Sequence, residues 1–129
     1  MVNGINHITF SVSDLEVSMR FYIDLLGLKL VMVWDKGAYL LAGNQWIALN
    51  VETRSTQCDH STYSHIAFNV SPTDFQETKD RLVDAGVISF KKNTSEGSSF
   101  YFLDPDGHKL ELHFNTLEDR MKWFKENHI

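Results

Sequence analysis

His7 and His65 open two nearly identical heptapeptides, His7-Ile8-Thr9-Phe10-Ser11-Val12-Ser13 and His65-Ile66-Ala67-Phe68-Asn69-Val70-Ser71, which lie 58 positions apart and agree at five of seven places. Glu111, in Leu110-Glu111-Leu112-His113, alternates with two leucines, so a strand would carry its carboxylate on the opposite face. Two imidazoles and one carboxylate form a ligand set suited to Mn²⁺, Zn²⁺, Fe²⁺ or Ni²⁺, and three protein ligands leave positions open for a substrate. A lone histidine at a strand end is more simply a hydrogen-bonded surface group. Its recurrence at the same place in a duplicated strand is what favours ligation by His7 and His65. Aligning Trp46-Ile47-Ala48-Leu49-Asn50 with Lys109-Leu110-Glu111-Leu112-His113 sets Ala48 opposite Glu111. Alanine cannot ligate, so a coordination position is emptied, which favours a substrate bound directly to the ion. His60, His108, His113 and His128 have no partner of this kind and are expected to be solvated or supporting groups.

A second chemical feature is the segment Lys91-Lys92-Asn93-Thr94-Ser95-Glu96-Gly97-Ser98-Ser99, followed at once by Phe100-Tyr101. Its composition fits an ordinary solvated hairpin. It also fits an anion site in which Lys91 supplies charge and Ser95, Ser99 and Tyr101 supply hydrogen-bond donors, with Arg120 as a bidentate clamp. It is neither a Gly-Lys-Ser phosphate loop nor a glycine fingerprint at a helix entry. Trp34, Tyr39 and Trp46 read as core or cavity-lining aromatics. Cys58 stands in a polar connector with nothing predicted to position it as a nucleophile.

The elements that must carry these groups repeat as well. Each heptapeptide alternates apolar and polar residues as a half-buried strand does. Ser13 and Ser71 are the expected N-caps of helices that close at Gly27 and Gly86, with Leu15, Met19, Tyr22 and Leu26 on one face of the first helix. In the second helix Pro72 stands at the first position, and Phe75, Leu82 and Ala85 mark the buried side. Strands are expected at about 29–34, 38–43 and 46–52, and again at about 87–91, 99–103 and 109–114, with turns at Asp35-Lys36-Gly37, Gly43-Asn44 and Asp104-Pro105-Asp106-Gly107. The reading is α+β: two βαβββ modules, about 4–52 and 63–114, in one domain spanning 1–129. Thr116-Leu117-Glu118-Asp119 resembles a capping box for a terminal helix over about 116–127.

Composition narrows the function classes. Nine Phe, four Tyr and three Trp in 129 residues supply the apolar surface of a folded domain rather than a disordered chain. With 12 basic and 17 acidic residues the net charge is −5, which argues against nucleic acid as a partner. No apolar run reaches the roughly 18 residues of a membrane span, and Met1-Val2-Asn3-Gly4 lacks signal-peptide character. The single cysteine excludes an intramolecular disulfide, so a cytoplasmic location and no membrane partner are expected.

Taken along almost the whole chain, the pattern resembles the vicinal oxygen chelate superfamily, and within it the fosfomycin-resistance proteins of the FosA glutathione transferase type. The resemblance rests on Gly4-Ile5-Asn6-His7-Ile8-Thr9, Phe21-Tyr22, Leu25-Leu26-Gly27, Trp34-Asp35, Gly37-Ala38-Tyr39-Leu40, Ser95-Glu96-Gly97 and the run Tyr101 to His113. It implies a cup-shaped mixed sheet and a homodimer whose modules pair across subunits, so that His7 of one chain meets His65 and Glu111 of the other around Mn²⁺. Zn²⁺, Ni²⁺ and Fe²⁺ are alternatives. It implies a catalytic role for Thr9, a place at the thiol for Tyr39, and a cavity lined by Trp34 and Trp46, Trp46 touching substrate. It further implies phosphonate binding by Lys91, Ser95, Ser99, Tyr101 and Arg120, and an activating K⁺ on Asn93, Ser95, Gly97 and Ser99. The implied reaction adds glutathione to the epoxide of fosfomycin. Trp46 to Asn50 with His65 to Phe68 looks closer to a bacillithiol-using branch, whereas Thr9 and the Ser95-Glu96-Gly97 loop resemble the glutathione-dependent one. Lys36-Gly37-Ala38 offers no base of the kind the hydrolytic branch uses. Bacillithiol or L-cysteine as the thiol, and a metal-free sequestering protein on the same fold, are the alternatives.

Overall fold

The computed structural model describes residues 1–52, 62–94 and 97–127. Two compact units divide the chain: 1–62 together with 104–108, and 63–103 together with 109–129. Cys58, His60, Ser95 and His128 lie outside the described residues.

In the first unit, β1 (His7–Val12) is followed by α1 (Leu15–Met19), a π-helical turn (Arg20–Leu25), β2 (Lys29–Trp34), β3 (Gly37–Ala42) and β4 (Gln45–Val51). The sheet order is β1-β4-β3-β2, with β1 parallel to β4 and the other pairs antiparallel. The pairing sets Phe10 beside Leu49 and Leu49 beside Ala38, all three buried with Val12, Leu40 and Ile47. The other face carries Thr9, Ala48 and Tyr39 side by side, with His7 next to Trp46. Gly37 is required where Trp34 folds back over the hairpin, because a Cβ there would stand 2.6 Å from the Leu49 carbonyl oxygen and 2.8 Å from the Trp34 ring.

The first helix departs from expectation at both ends. Asp14, not Ser13, is the N-cap, its Oδ1 accepting from the Val17 amide at 3.1 Å. The Ser13 amide donates instead to Asp106, 93 residues away. Beyond Met19 the coil widens, and Leu26 N–H donates to the Phe21 carbonyl before Gly27 ends the segment at a φ of 81°. Widening buries the consecutive residues Phe21 and Tyr22, which a regular amphipathic stripe would separate.

Tyr22 is wholly buried and donates to Asp104 Oδ2 at 2.6 Å. The same carboxylate accepts from His108 Nδ1 at 2.7 Å and, on Oδ1, from the amides of Asp106 and His108. His108 is therefore a bonded structural group, with its ring 5.0 Å from that of Phe10. Burial works against a charge on this ring, but the Asp104 hydrogen bond and the charges of Asp104 and Asp106 outweigh it and raise its pKa above the ordinary 6.5. A raised folded-state pKa gives stability that is complete below the ordinary value and is lost as pH rises through the folded one. In thermal unfolding from about pH 5 to pH 9, the wild type is expected to exceed His108→Gln most at the acid end and to lose that margin with rising pH. A margin independent of pH would show that the imidazole acts only as a neutral donor.

In the second unit β5 (Ile66–Asn69), α2 (Pro72–Asp84), β6 (Ser89–Lys91), β7 (Ser99–Leu103) and β8 (Lys109–His113) repeat the order, and the sheet runs β5-β8-β7-β6. Ser71 caps α2, its hydroxyl accepting from the Asp74 amide, and Pro72 stands in the first turn as expected. Phe75 and Leu82 bury on the core side with Phe100, Phe102, Leu110 and Leu112. α3 (Leu117–Asn127) starts with a reciprocal cap in which Thr116 Oγ1 accepts from the Asp119 amide and Asp119 Oδ2 accepts from the Thr116 amide. The Thr116 amide and then its hydroxyl, both hydrogen-bonded to the Asp119 carboxyl, hold that group below its usual pKa. Among the described residues no helix is long and apolar enough to cross a membrane.

Candidate metal and anion site

The strand registers place the repeat-derived residues on equivalent sheet faces. Thr9 pairs with Ala48 in the first unit, and Ala67 pairs with Glu111 in the second, so Ala48 and Glu111 occupy the same station of the two modules. Tyr39 next to Ala48 corresponds to Tyr101 next to Glu111.

The second unit gathers a polar cluster around Glu111. Glu111 is buried, and its Oε1 lies 2.9 Å from His65 Nε2. His65 Nδ1 donates to the Tyr63 carbonyl at 3.2 Å, so in a neutral ring the Nε2 lone pair faces the carboxylate. Two acceptors facing each other need a proton or a cation between or beside them. First-row divalent ions hold nitrogen and oxygen ligands at about 2.0–2.2 Å, so neighbouring ligands of one ion lie roughly 3 Å apart. The donor types, the spacing and the backbone bond that orients the imidazole all fit a divalent metal.

Lys91 adds positive charge on the same face. Its Nζ donates to the Tyr63 hydroxyl at 2.8 Å and stands 4.1 Å from the Tyr63 ring centre and 5.0 Å from that of Tyr101. The bond to Tyr63 outweighs the effect of burial, and the charges of Tyr63, Tyr101 and Glu111 add to it, so the Lys91 pKa is raised and the ammonium stays charged. Ser99 Oγ donates to Glu111 Oε2 at 2.6 Å. Asn93 closes the intervening loop by donating to the Gly97 carbonyl at 2.7 Å. Gly97 has a φ of 70°, and a Cβ there would run into the Asn115 amide, so a side chain is excluded twice over. Arg120 lies on the first turn of α3, half-buried.

The first unit holds the remaining candidates. His7 stacks on Trp46 at 4.2 Å, Trp46 meets Tyr39 edge-on at 5.1 Å, and Tyr39 meets Trp34 at 4.9 Å. His7 Nδ1 bonds Asn6 Oδ1 at 2.7 Å. Trp46 Nε1 is buried with no acceptor among the described residues. Among those residues no three metal-ligating side chains converge within one chain; His65 and Glu111 form a pair. Sequence reasoning missed Tyr63, which touches both His65 and Lys91, and read His113 as a solvated or supporting group. His113 lies two residues from Glu111 on β8, where the period of a strand offered the signal, whereas Tyr63 precedes β5.

This duplicated fold and its His/Glu face define the class of protein. The family model described as Glyoxalase/Bleomycin resistance protein/Dioxygenase superfamily matches residues 4–112. Relatives include the "Glutathione transferase FosA" of Serratia marcescens, 46% identical over 98% of this chain and 91% of its own length. A "Metallothiol transferase FosB" of Staphylococcus saprophyticus is 41% identical over 98% of this chain and 86% of its own. Among solved structures, the fosfomycin resistance protein FosX of Listeria monocytogenes, complexed with Mn(II) and sulfate ion, aligns with a TM-score of 0.81 at 32% identity, covering 96% of this chain and 99% of that one. The chain belongs to the fosfomycin-resistance proteins of that superfamily.

Proposed function

We propose that the protein inactivates fosfomycin by metal-dependent addition of glutathione to its epoxide carbon. The observation that carries the reading is a charged ammonium, Lys91, held on two phenol rings on the face that also bears the His65–Glu111 pair. One region thus offers an anion anchor and a cation site, as a small phosphonate with a reactive oxygen requires. His65 and Glu111 of one copy, with His7 of a second, would hold the ion. A dimer is supported by β2, whose apolar residues Leu30, Val31, Met32, Val33 and Trp34 are all exposed at a sheet edge.

A divalent ion bound there would supply positive charge beside the departing epoxide oxygen, where negative charge grows. Lys91, Tyr101 and Arg120 hold the phosphonate, with Ser95 of the adjoining loop, and so fix the direction from which the epoxide is approached. Tyr39 orients the glutathione sulfur, whose new bond to carbon forms as the carbon–oxygen bond breaks. Thr9, in the strand position between His7 and the buried Phe10 and Val12, places its hydroxyl beside that oxygen, which ends protonated. The unpartnered Trp46 N–H offers a donor to whichever reactant covers it. The loop of Asn93, Ser95, Gly97 and Ser99 would bind an activating K⁺ through its carbonyls. The reaction belongs in the cytoplasm, where glutathione is held reduced.

The metallothiol transferase relatives, 40–43% identical, favour a second reading in which the thiol is bacillithiol or L-cysteine. Protein, Mn²⁺ and fosfomycin are incubated with each thiol or with none, and products are weighed by mass spectrometry. A glutathione adduct formed fastest is the expected result. A diol formed without thiol would replace the transferase reading by hydrolysis, and undiminished fosfomycin binding after chelation, with no product, would leave a sequestering protein.

A further inference from the structure

We propose that His113 is a positioning residue that acts on Glu111 through Ser99. The inference rests on the reading of Glu111 as a metal ligand. Ser99 Oγ lies 2.6 Å from Glu111 Oε2 and 2.7 Å from His113 Nδ1. A serine hydroxyl carries one proton, and an ionised carboxylate can only accept it. Ser99 therefore donates to Glu111 and accepts from His113, whose proton sits on Nδ1. The chain His113 to Ser99 to Glu111 runs one way and leaves Oε1 directed at His65 Nε2. The side chains of Glu111 and His113 are only 7% and 14% exposed, so water competes little for these bonds.

The duplicated architecture supplies an independent observation. In the second unit Ser99 pairs with His113, and the adjacent pair on that face is Tyr101 with Glu111. The same stations of the first unit hold Gly37 paired with Asn50 and Tyr39 paired with Ala48. The tyrosine is common to both modules. Where Ala48 replaces the carboxylate, the hydroxyl and the imidazole are absent too, and the packing of Trp34 against Gly37 leaves no room for a side chain there. Serine and histidine accompany the carboxylate.

A simpler account is that His113 only fills space between Ser99 and Gly97. The two accounts separate on geometry. The side-chain nitrogen of asparagine falls where Nδ1 stands, whereas glutamine better matches the length of the ring but moves its donor away. Mn²⁺ affinity is measured from the electron paramagnetic resonance signal of free Mn²⁺, without thiol or fosfomycin, alongside the melting temperature of each metal-free protein. Outer-shell partners of ligands are worth about 10- to 100-fold in affinity, so Ser99→Ala and His113→Gln should each weaken binding by that factor. His113→Asn should stay within about threefold of wild type, and Ser99→Ala/His113→Gln should bind no worse than Ser99→Ala, because both break one chain. If His113→Gln does not fold, Ser99→Ala against His113→Asn carries the comparison. Wild-type affinity in Ser99→Ala, or equal losses in His113→Asn and His113→Gln, would overturn the relay while leaving the metal site intact. A wild-type protein that binds no Mn²⁺ would instead remove Glu111 as a ligand, and the relay with it.

Discussion

Glu111→Ala should abolish Mn²⁺ binding and lower kcat/KM for fosfomycin by about a thousandfold or more. Charge stabilisation by a bound cation is worth several kcal/mol, and each 1.4 kcal/mol is about a factor of ten in rate. The fold should persist, because removing Glu111 also removes a desolvated charge, even though Ser99 loses an acceptor. The same substitution tests how the ligands are shared. When His7→Ala and Glu111→Ala chains are co-expressed, half of randomly formed dimers pair one of each. If His7 completes the site of the other subunit, one of the two sites in such a dimer is whole, and activity should return to about a quarter of wild type. Ligands drawn from a single chain would give no recovery in the mixture, because neither chain then carries a whole set.

Asp104→Ala is expected to cause the largest loss of stability, about 3–5 kcal/mol, the usual cost of breaking a buried charged network. For a chain of this size that is a fall of roughly 10–20 °C in Tm. The carboxylate is buried and accepts from the Tyr22 hydroxyl, the His108 ring and two amides of its own turn. Its loss strands a wholly buried phenol and leaves the turn without its central acceptor. Tyr22→Phe removes only one of the four bonds and should cost about 1.5–3 kcal/mol. Calorimetry of the two variants sets the order; if Tyr22→Phe were the worse, the phenol hydroxyl and not the carboxylate would be the group on which the network depends.

The repeat made most of this architecture legible. An offset of 58 between two strands, with strand alternation around Glu111, was enough to set Ala48 opposite Glu111, and the strand registers agree. Ser71, Pro72 and the Thr116–Asp119 pair marked helix starts because capping is local chemistry within three residues. What escaped was set by distant partners. Ser13 looked like a cap, but its amide is taken by Asp106 and the adjacent Asp14 does the capping. The π-helical widening after Met19 accompanies the bond from Tyr22 to Asp104, 82 residues away, and no local pattern of apolar residues encodes that partner. His108 and His113 read only as solvated or supporting groups because their partners, Asp104 and Ser99, are identified only once a turn and a strand pairing exist. His65, Lys91, Ser99, Tyr101 and Glu111 gather in one unit, while Thr9, Tyr39 and Trp46 gather with His7 in the other.

The short turn from Asp104 to His108 belongs by its contacts with the first sixty-two residues, although the chain reaches it only after most of the second repeat has been made. A ribosome that has released the first half has thus not yet supplied the acceptor for Tyr22 or for the Ser13 amide. The duplicated halves are consequently not interchangeable beads. A gene fragment ending at the connector should yield a product that proteases digest readily, and the late-arriving turn acts as the latch that completes the early half.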